Sequence, residues 1–402
     1  MVDKKNKRIL VLITVSIFLF NYTFRQIFMS YIGIDFYYNI ILLVSVILFS
    51  IRNKLNNKVL IYIFFIYVLI IFTNLKSKLS LGYYTIPLTT IIIPLLLLAE
   101  EKIFDKKLFI NLIKIINIIV YIVIFFGIID MLTNYRMNII LRDFIKLDSL
   151  RSTMEWMSSF GTYRLYNILG HPLVNMQIFI IYFVLNIIAI KYLNFQSNIL
   201  KVVIIFFVGT ILTGSKMGLV ISIFSIAFYG LKNKNKFLQG SIICFSIVII
   251  VFISQTNYFE KNIKSRFITA IQSGDITNGR FGAIETVFEN SDYRPKLLYG
   301  GGYDYSRIVT DKNRINNFEF PVLMWGYDYG IIVAVLLVLI SIIYPLIKLI
   351  RFKAYDVIFL YILLQLYCQS FNGLIYGDNF ARLIFCNYTI IKIIGNYKKN
   401  RC

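Results

Sequence analysis

Apolar residues are grouped in long runs that recur along the whole chain, separated by short polar segments. A helix of about 20 apolar residues crosses the hydrocarbon core of a bilayer. Only helices satisfy their own backbone hydrogen bonds in lipid over such runs. The pattern predicts an all-α polytopic membrane protein with about 12 transmembrane helices. The predicted spans lie near residues 9–24, 36–51, 59–73, 81–99, 109–132, 173–190, 199–213, 217–231, 238–254, 321–347, 356–371 and 380–395.

Two connections between the predicted spans are much longer than the others. The first covers residues 133–172 and the second covers 255–320, which places a large external loop before the tenth span. Both contain apolar stretches with helical spacing, at 138–147 and 258–271. We expect these stretches to form short amphipathic helices at the outer membrane interface. Residues 1–402 as a whole are predicted to form a single integral membrane domain.

Every second short connection between predicted spans is rich in basic residues. With the N-terminus in the cytoplasm, every cytoplasmic connection is short and basic, as the positive-inside rule requires. The short outer connections carry fewer basic residues, for example only Lys216 between the seventh and eighth spans. Long loops are translocated largely regardless of charge, so the basicity of the two long loops does not oppose this topology. The predicted localisation is the cell membrane, multi-pass, with both termini cytoplasmic and an uncleaved first span.

The composition agrees with a chain that is solvated mostly by lipid. Hydrophobic residues make up 58% and charged residues 15% of the sequence, whereas soluble domains carry about 25% charged residues. The net charge of +22 would suit nucleic acid. The basic residues are scattered between apolar runs rather than gathered in a basic domain, so no nucleic-acid partner is predicted. Membrane lipid and an anionic lipid-linked substrate are better partners.

Several kinds of chemistry are excluded by what the sequence lacks. The four cysteines form no CxxC pair, and His171 is the only histidine, so no metal site and no cofactor are predicted. No GxxxxGK[ST] occurs, and no GxGxxG precedes a helix, which argues against nucleotide hydrolysis. Few charges lie inside the predicted spans, which argues against a transporter with a carboxylate proton relay.

Cationic residues stand at the predicted outer ends of several spans. Arginine binds phosphate oxygens bidentately and lysine binds them as a point charge, so converging cations would suit a diphosphate. For each cation alone, the alternative is an anchor beside lipid phosphates. Glycines beside Lys216 and Arg280 favour the ligand interpretation, because glycine allows a backbone to approach a ligand closely. The candidate cations are Arg164, Lys216, Arg280 and Arg382.

These segments resemble the Wzy-type polysaccharide polymerase and O-antigen ligase superfamily. Residues 164–172 are similar to the arginine, glycine and proline that precede a central span in that superfamily. Thr213-Gly214-Ser215-Lys216 is similar to its TGSR or TGSK turn. Arg280, the run at 298–302 and Asp328-Tyr329-Gly330 resemble its large loop and the exit into the next span.

The resemblance covers roughly residues 160–345, and the N-terminal spans are similar only in hydropathy. It implies an enzyme that joins undecaprenyl-diphosphate-linked oligosaccharide repeats into capsular or exopolysaccharide chains at the outer face of the cell membrane. Ligases of the superfamily carry a His-Asn pair where this chain has Phe318-Glu319-Phe320-Pro321, which favours a polymerase. The implied partners are the lipid-linked oligosaccharide, a flippase and chain-length regulator proteins.

The implied reaction is glycosyl transfer from an anomeric diphosphate. Negative charge develops on the leaving diphosphate, so preorganised cations should contribute most of the catalysis. We assign Arg164, Lys216 and Arg280 to diphosphate binding and charge stabilisation, and Arg382 to a smaller part in diphosphate binding. Glu319 is the first candidate for a base that assists the acceptor hydroxyl, and Asp328 is the second. A loop-end carboxylate bound to backbone is the alternative for Asp328.

Other interpretations remain open. A ligase of the same superfamily would move finished glycan to another acceptor, and product analysis separates it from a polymerase. A flippase or exporter of lipid-linked repeats would favour two comparable helical halves and shorter loops. A channel or anchor would give the basic, glycine-flanked turns no special purpose. His171, before Pro172, is interpreted as a structural residue rather than a base.

Overall fold

The computed structural model describes most of the chain outside the two long loops, and helices dominate it. Within that part, no strand is assigned, and only two isolated bridges occur. The described residues are 2–32, 38–102, 104–133, 135–145, 151–152, 154–155, 164–232, 280–289, 293–313 and 318–399, with single positions between 240 and 272.

The described residues form the helices α1 to α16, numbered in chain order. They are α1 (Val2–Phe18), α2 (Tyr22–Ser30), α3 (Ile40–Arg52), α4 (Asn57–Lys76), α5 (Gly82–Ala99), α6 (Lys106–Leu132), α7 (Arg136–Phe144), α8 (Pro172–Leu193), α9 (Ile199–Thr213), α10 (Lys216–Lys232), α11 (Arg280–Glu289), α12 (Tyr305–Lys312), α13 (Pro321–Tyr329), α14 (Ile331–Arg351), α15 (Tyr355–Cys368) and α16 (Asn379–Lys399). A short 3-10 helix, Asn372–Ile375, precedes α16.

Five of these helices, α4, α5, α6, α8 and α14, are long and apolar enough to cross a membrane. The bent pair α1 and α2 forms one further candidate, and α3, α9, α10 and α15 are shorter apolar helices. The all-helical class is therefore confirmed, and the protein has several helices suited to a membrane. The predicted ninth span and the stretch 258–271 lie largely outside the described residues, so the count of 12 stays a prediction.

Two predicted spans differ from the helices observed. The first, at 9–24, is interrupted after Phe18, and α2 leaves α1 at an angle of 76°. The tenth, at 321–347, is divided at Gly330, whose φ of +99° lies in the region that favours glycine. The apolar helix suited to a membrane therefore begins at Ile331, and α13 precedes it as a separate helix.

Two of the apolar helices contain a π-helical turn, and each turn ends two residues before a proline. Leu88–Ile92 precedes Pro94 in α5, and Leu339–Ile343 precedes Pro345 in α14. Proline lacks an N–H, and its ring clashes with the carbonyl four residues earlier, so the helix must widen there. The positions of these prolines therefore explain both turns.

The carbonyl that Pro345 leaves without its usual partner is that of Ser341. The Asn387 side-chain amide donates a hydrogen bond to it at 2.8 Å, and the Tyr361 hydroxyl donates another at 3.3 Å. Gln365 in turn donates to the Asn387 side-chain oxygen at 3.2 Å. Buried carbonyls need such partners, so these bonds join α14, α15 and α16.

The chain divides into two compact units by its internal contacts. The first contains Met1–Tyr22, Tyr37–Ile115 and Gly279–Cys402, and the second contains Thr23–Phe36 and Ile116–Asn278. The single integral membrane domain predicted for the whole chain stays a prediction.

Contacts in the first unit agree with the predicted alternation of its connections. The predicted cytoplasmic segments are joined by the pairs Asn6–Asn53, Asn56–Glu101 and Phe104–Asn396. At or near the predicted outer side, contacts join Asn39 with Asp378, Thr73 with Tyr329 and Lys76 with Tyr299; Asn39, Thr73 and Tyr329 lie within predicted spans. Segments assigned to the same side are thus in contact, while the side that faces the cytoplasm stays a prediction.

The second unit is built around α8, which is buried along most of its length. Gly209 of α9 lies against the Phe179 ring of α8, and a Cβ at Gly209 would be 2.7 Å from that ring. Small residues allow such close packing between apolar helices. Asn117 of α6 and Asn186 of α8 exchange two side-chain hydrogen bonds, at 2.9 and 2.7 Å. These contacts hold α6, α8 and α9 together.

Candidate functional site

The motif Thr213-Gly214-Ser215-Lys216 forms a tight turn between α9 and α10 in the second unit. Thr213 is the last residue of α9, and Gly214 ends the helix with a φ of +59°, a conformation that glycine adopts without strain. The Ser215 hydroxyl accepts a hydrogen bond from the Gly218 N–H at 3.1 Å and so caps α10. The motif makes Lys216 the first residue of α10.

Arg164 contacts this turn from the segment that precedes α8. Its Nε donates a hydrogen bond to the Thr213 carbonyl at 3.2 Å. The next residue is held in the same place, because the Leu165 N–H donates to the Leu212 carbonyl at 2.9 Å. The structure therefore brings Arg164 to the turn that carries Lys216, and the assignment of both residues to a diphosphate stays a prediction.

The electrostatics of the turn favour an anion. The first N–H groups of a helix lack intrahelical partners and carry a partial positive charge, and Lys216 stands at this end of α10. Neither α9 nor α10 contains an acidic residue. Arg164 adds a second full positive charge. Phosphate groups suit such helix ends.

The segment that carries Arg164 is fixed by Asn175, one turn into α8. The Asn175 side-chain amide donates to the Leu165 carbonyl at 3.0 Å and to the Gly170 carbonyl at 3.1 Å. Gly170 has a φ of +109°, and a Cβ there would meet the Thr23 side chain, so glycine is required for both reasons. These bonds position Arg164 without using its guanidinium.

His171 caps the N-terminus of α8. Its Nδ1 accepts a hydrogen bond from the Leu173 N–H at 3.2 Å. Burial, with a smaller contribution from Arg164, lowers the pKa of His171 to about 3. The imidazole is therefore neutral at physiological pH, and its geometry agrees with the structural interpretation of His171.

Arg382, in the first unit, has a different environment. It is 1% exposed, its Nε donates to the Ile17 carbonyl at 3.1 Å, and a terminal nitrogen donates to the Asn379 side chain at 2.6 Å. Ile17 lies in the last turn of α1, where helix carbonyls lack intrahelical partners. These bonds give Arg382 a structural role, and its assignment to the diphosphate stays a prediction.

Arg280 begins α11 in the first unit. Its side chain lies outside what the structure describes. Its assigned roles in charge stabilisation and diphosphate binding therefore stay predictions.

The glycine run of the large loop packs against the backbone of α13. The Gly301 N–H donates to the Tyr327 carbonyl at 2.9 Å, and the Gly302 N–H donates to the Asp328 carbonyl at 2.8 Å. A Cβ at Gly300 would overlap the Tyr327 carbonyl. The run is thus explained by close backbone packing within the protein.

Asp328 is 2% exposed, and its Oδ1 accepts a hydrogen bond from the Ser306 N–H at 2.7 Å. Ser306 lies in the first turn of α12, so the carboxylate caps that helix. Burial raises the pKa of Asp328 to about 7, and its bonds to Ser306 oppose this increase. This geometry is the backbone-bound alternative considered for Asp328, and its catalytic role stays a prediction.

A second carboxylate, Asp304, accepts a hydrogen bond from the Tyr376 hydroxyl at 2.9 Å. Burial also raises the pKa of Asp304. Its negative charge is one of the smaller contributions that raise the pKa of Asp328. Asp304 and Tyr376 are thus close neighbours of Asp328 that sequence reasoning did not select.

Glu319 has a left-handed backbone with a φ of +53°. This conformation is about 1 kcal/mol less favourable for a residue with a Cβ. Phe318 anchors the position by stacking on Tyr327, with ring centroids 5.0 Å apart. Lys78 and Lys353 have the same conformation, with φ of +53° and +51°, so the strain does not single out Glu319, and its role as the base stays a prediction.

Sequence reasoning also missed a cationic cluster in the first unit, formed by Lys76, Lys296 and Tyr299. The ammonium groups of Lys76 and Lys296 lie 3.5 and 5.3 Å from the centre of the Tyr299 ring. The bond to Lys76 is the main reason why the pKa of Tyr299 is lowered. Lys76 follows the predicted third span and Lys296 precedes the glycine run, but no local pattern links them.

Comparison with known proteins adds no family assignment. No protein-family model matches the chain, and no curated protein matches it. The resemblance of residues 160–345 to the Wzy-type polymerase and O-antigen ligase superfamily therefore rests on the sequence motifs. In the described part of the chain, no group of three or more His, Cys, Asp or Glu residues could hold a metal ion.

Proposed function

We propose that this protein is a membrane glycosyltransferase that joins undecaprenyl-diphosphate-linked oligosaccharide repeats into capsular or exopolysaccharide chains. One observation supports the proposal most directly. The Arg164 guanidinium bonds to Thr213, 49 residues away, at the turn that presents Lys216. Both segments belong to the resemblance, and their contact supports the proposal that Arg164 and Lys216 bind one diphosphate.

In the proposed reaction, a sugar hydroxyl of the incoming repeat attacks the anomeric carbon of the growing chain. The bond from that carbon to the lipid diphosphate breaks, a glycosidic bond forms, and the hydroxyl proton leaves to a base. Arg164 and Lys216 stabilise the negative charge on the departing diphosphate. Arg280 and Arg382 retain their proposed parts in diphosphate binding. Glu319 is the proposed base and Asp328 the second candidate.

The proposal includes the predicted topology in the cell membrane, with 12 spans and both termini cytoplasmic. On this topology, the Gly214 turn and the large loop at 255–320 lie at the outer face. The donor's own diphosphate linkage drives the reaction there, without a nucleotide or a cofactor. The partners are the lipid-linked oligosaccharide, membrane lipid, a flippase and chain-length regulator proteins.

Deletion of the gene in its host, followed by separation of the glycans by size, tests the function. We expect long polymer to be lost and single repeats to accumulate on lipid at the outer face. Repeats trapped at the cytoplasmic face would indicate a flippase instead. Polymer that is made but not transferred to its final acceptor would indicate a ligase. Unchanged glycans would overturn the catalytic proposal.

Complementation of the deletion strain tests the site. Arg164→Ala should fail to restore long polymer, because a charge that stabilises the leaving diphosphate is removed. Arg136→Ala is a matched control, since Arg136 is an exposed arginine in α7 of the same unit. Both variants should be present in the membrane fraction at normal levels. Long polymer made by Arg164→Ala would remove Arg164 from the mechanism.

A further inference from the structure

A cavity of about 460 Å³ lies in the first unit, at the end where the predicted cytoplasmic segments meet. The end of α5, the C-terminal part of α14 and the C-terminal part of α16 form its walls. Three lysines and two glutamates line it, which leaves one net positive charge: Lys348, Lys392, Lys399, Glu100 and Glu101.

One wall of the cavity is fixed by a buried ion pair. The Lys392 ammonium lies 2.7 Å from the Glu100 carboxylate, and the two side chains are 10% and 0% exposed. The same ammonium donates hydrogen bonds to the carbonyls of Glu100 and Lys102, at 2.7 and 2.9 Å. Lys392 is therefore fully engaged, and its charge is neutralised within the protein.

The other two lysines are not neutralised in this way. Among the residues that the structure describes, no ion pair involves Lys348 or Lys399. Lys348 lies 5.4 Å from the centre of the Tyr344 ring. The Glu101 carboxylate accepts a hydrogen bond from the Asn56 amide at 2.7 Å. An anion in the cavity would balance the charges of Lys348 and Lys399.

We propose that this cavity binds a phosphate group, with Lys348 and Lys399 as the cationic ligands. The phosphate could belong to an anionic phospholipid head group or be inorganic phosphate. The apolar lining, which includes Leu98, Phe352 and Ile391, suits the glycerol and acyl portion of a lipid. Basic pockets between transmembrane helices at the cytoplasmic side are typical head-group sites. None of the residues proposed for glycosyl transfer lines this cavity, so the inference rests on the predicted topology and not on that reaction.

The test uses the purified full-length protein in nanodiscs of phosphatidylcholine that contain a small fraction of phosphatidylglycerol. Native mass spectrometry counts the phosphatidylglycerol retained by the protein. The double variant Lys348→Gln/Lys399→Gln should retain it about tenfold less than the wild type, because both ligands lose their charge. The control Lys353→Gln/Lys398→Gln removes two lysines that lie near these positions in sequence but do not line the cavity. It should bind as the wild type does.

A second arm separates the two sources of phosphate. Inorganic phosphate is added to the protein in pure phosphatidylcholine nanodiscs, and the unfolding temperature is measured. An increase that requires Lys348 and Lys399, without retention of phosphatidylglycerol, assigns the site to inorganic phosphate. Lys348→Arg/Lys399→Arg should bind the same ligand as the wild type and shows that a folded variant keeps the site. The proposal would be overturned if Lys353→Gln/Lys398→Gln lost binding as much as Lys348→Gln/Lys399→Gln. It would also be overturned if Lys348→Gln/Lys399→Gln still bound both phosphatidylglycerol and inorganic phosphate.

Discussion

Arg164 in the second unit and Arg382 in the first unit were both predicted to bind a diphosphate, and both donate to a carbonyl at the C-terminal end of a helix. The carbonyls are those of Thr213 and Ile17. Arg382 is 1% exposed and donates a second bond to Asn379, so its guanidinium joins α1 to α16. Arg164 is only partly buried and lies at a turn where α10 begins.

The comparison shows that the position of an arginine at the end of a predicted span does not define its role. A helix end needs donors for its last carbonyls, and a nearby arginine can supply them in either unit. The two sites differ in whether a second positive charge stands beside the arginine. The turn at Gly214 also presents Lys216 and a helix N-terminus, whereas Arg382 donates to the Ile17 carbonyl and the Asn379 side chain.

The largest expected effect is on polymer synthesis at the second-unit turn. Lys216→Ala should lower polymerisation by about 10²–10³-fold, the effect expected when one group that stabilises developing charge is removed. Alanine favours helices, so α10 and membrane insertion should be preserved. Polymer length in the host and protein abundance in the membrane fraction are the measurements. Lys216→Arg should retain part of the activity, and long polymer in Lys216→Ala would remove Lys216 from the site.

The next largest effect is on stability in the first unit. Arg382→Met should lower the free energy of unfolding by about 3 kcal/mol, because Ile17 and Asn379 lose a buried charged donor. Arg164→Met should lower it by only about 1 kcal/mol, because its site is partly exposed. Unfolding of the purified proteins in detergent measures both. If Arg382→Met is as stable as the wild type and makes no polymer, Arg382 binds the diphosphate. The proposed contrast between a structural Arg382 and a diphosphate-binding Arg164 would then be wrong.

The features that follow local rules could be predicted from the sequence. These include the helical class, the grouping of segments from one predicted side, and the turn at Gly214, where glycine and serine serve as caps. Gly330 itself could have indicated the break in the helix. The apolar residues on both sides of it led to the prediction of one continuous span. The pairing of Glu100 with Lys392 had no local signal, because almost 300 residues separate the two positions.

The pH dependence of stability tests the structural role of Asp328 in the first unit. Burial raises the folded-state pKa of Asp328 to about 7 from an ordinary value of 3.8, so the folded protein keeps a proton that the unfolded chain releases. This contribution is present below pH 3.8 and is lost as the pH rises to about 7. Its slope is at most about 1.4 kcal/mol per pH unit.

Asp328→Asn should remove this slope while keeping an oxygen that accepts the bond from Ser306. The measurement is the unfolding free energy of both proteins at several pH values across that range. His171 titrates equally in both, so the difference between the curves isolates Asp328. Parallel curves would show that Asp328 is ionised in the folded protein throughout, which would favour a catalytic over a structural role.

The smallest stability effect is expected at Glu319, where strain and a proposed function coincide. Glycine adopts a φ of +53° without the penalty that a Cβ brings, so Glu319→Gly should raise the free energy of unfolding by up to about 1 kcal/mol.

Glu319→Gln keeps the strain and removes only the negative charge. If the carboxylate is the base, both variants should lower turnover, and Glu319→Gln should lower it more than it weakens substrate binding. Glu319 would then resemble Arg164, whose loss is expected to impair the reaction with little effect on the fold. A stabilised Glu319→Gly variant that still makes wild-type polymer would show that the strain is incidental, and the base would have to be sought elsewhere.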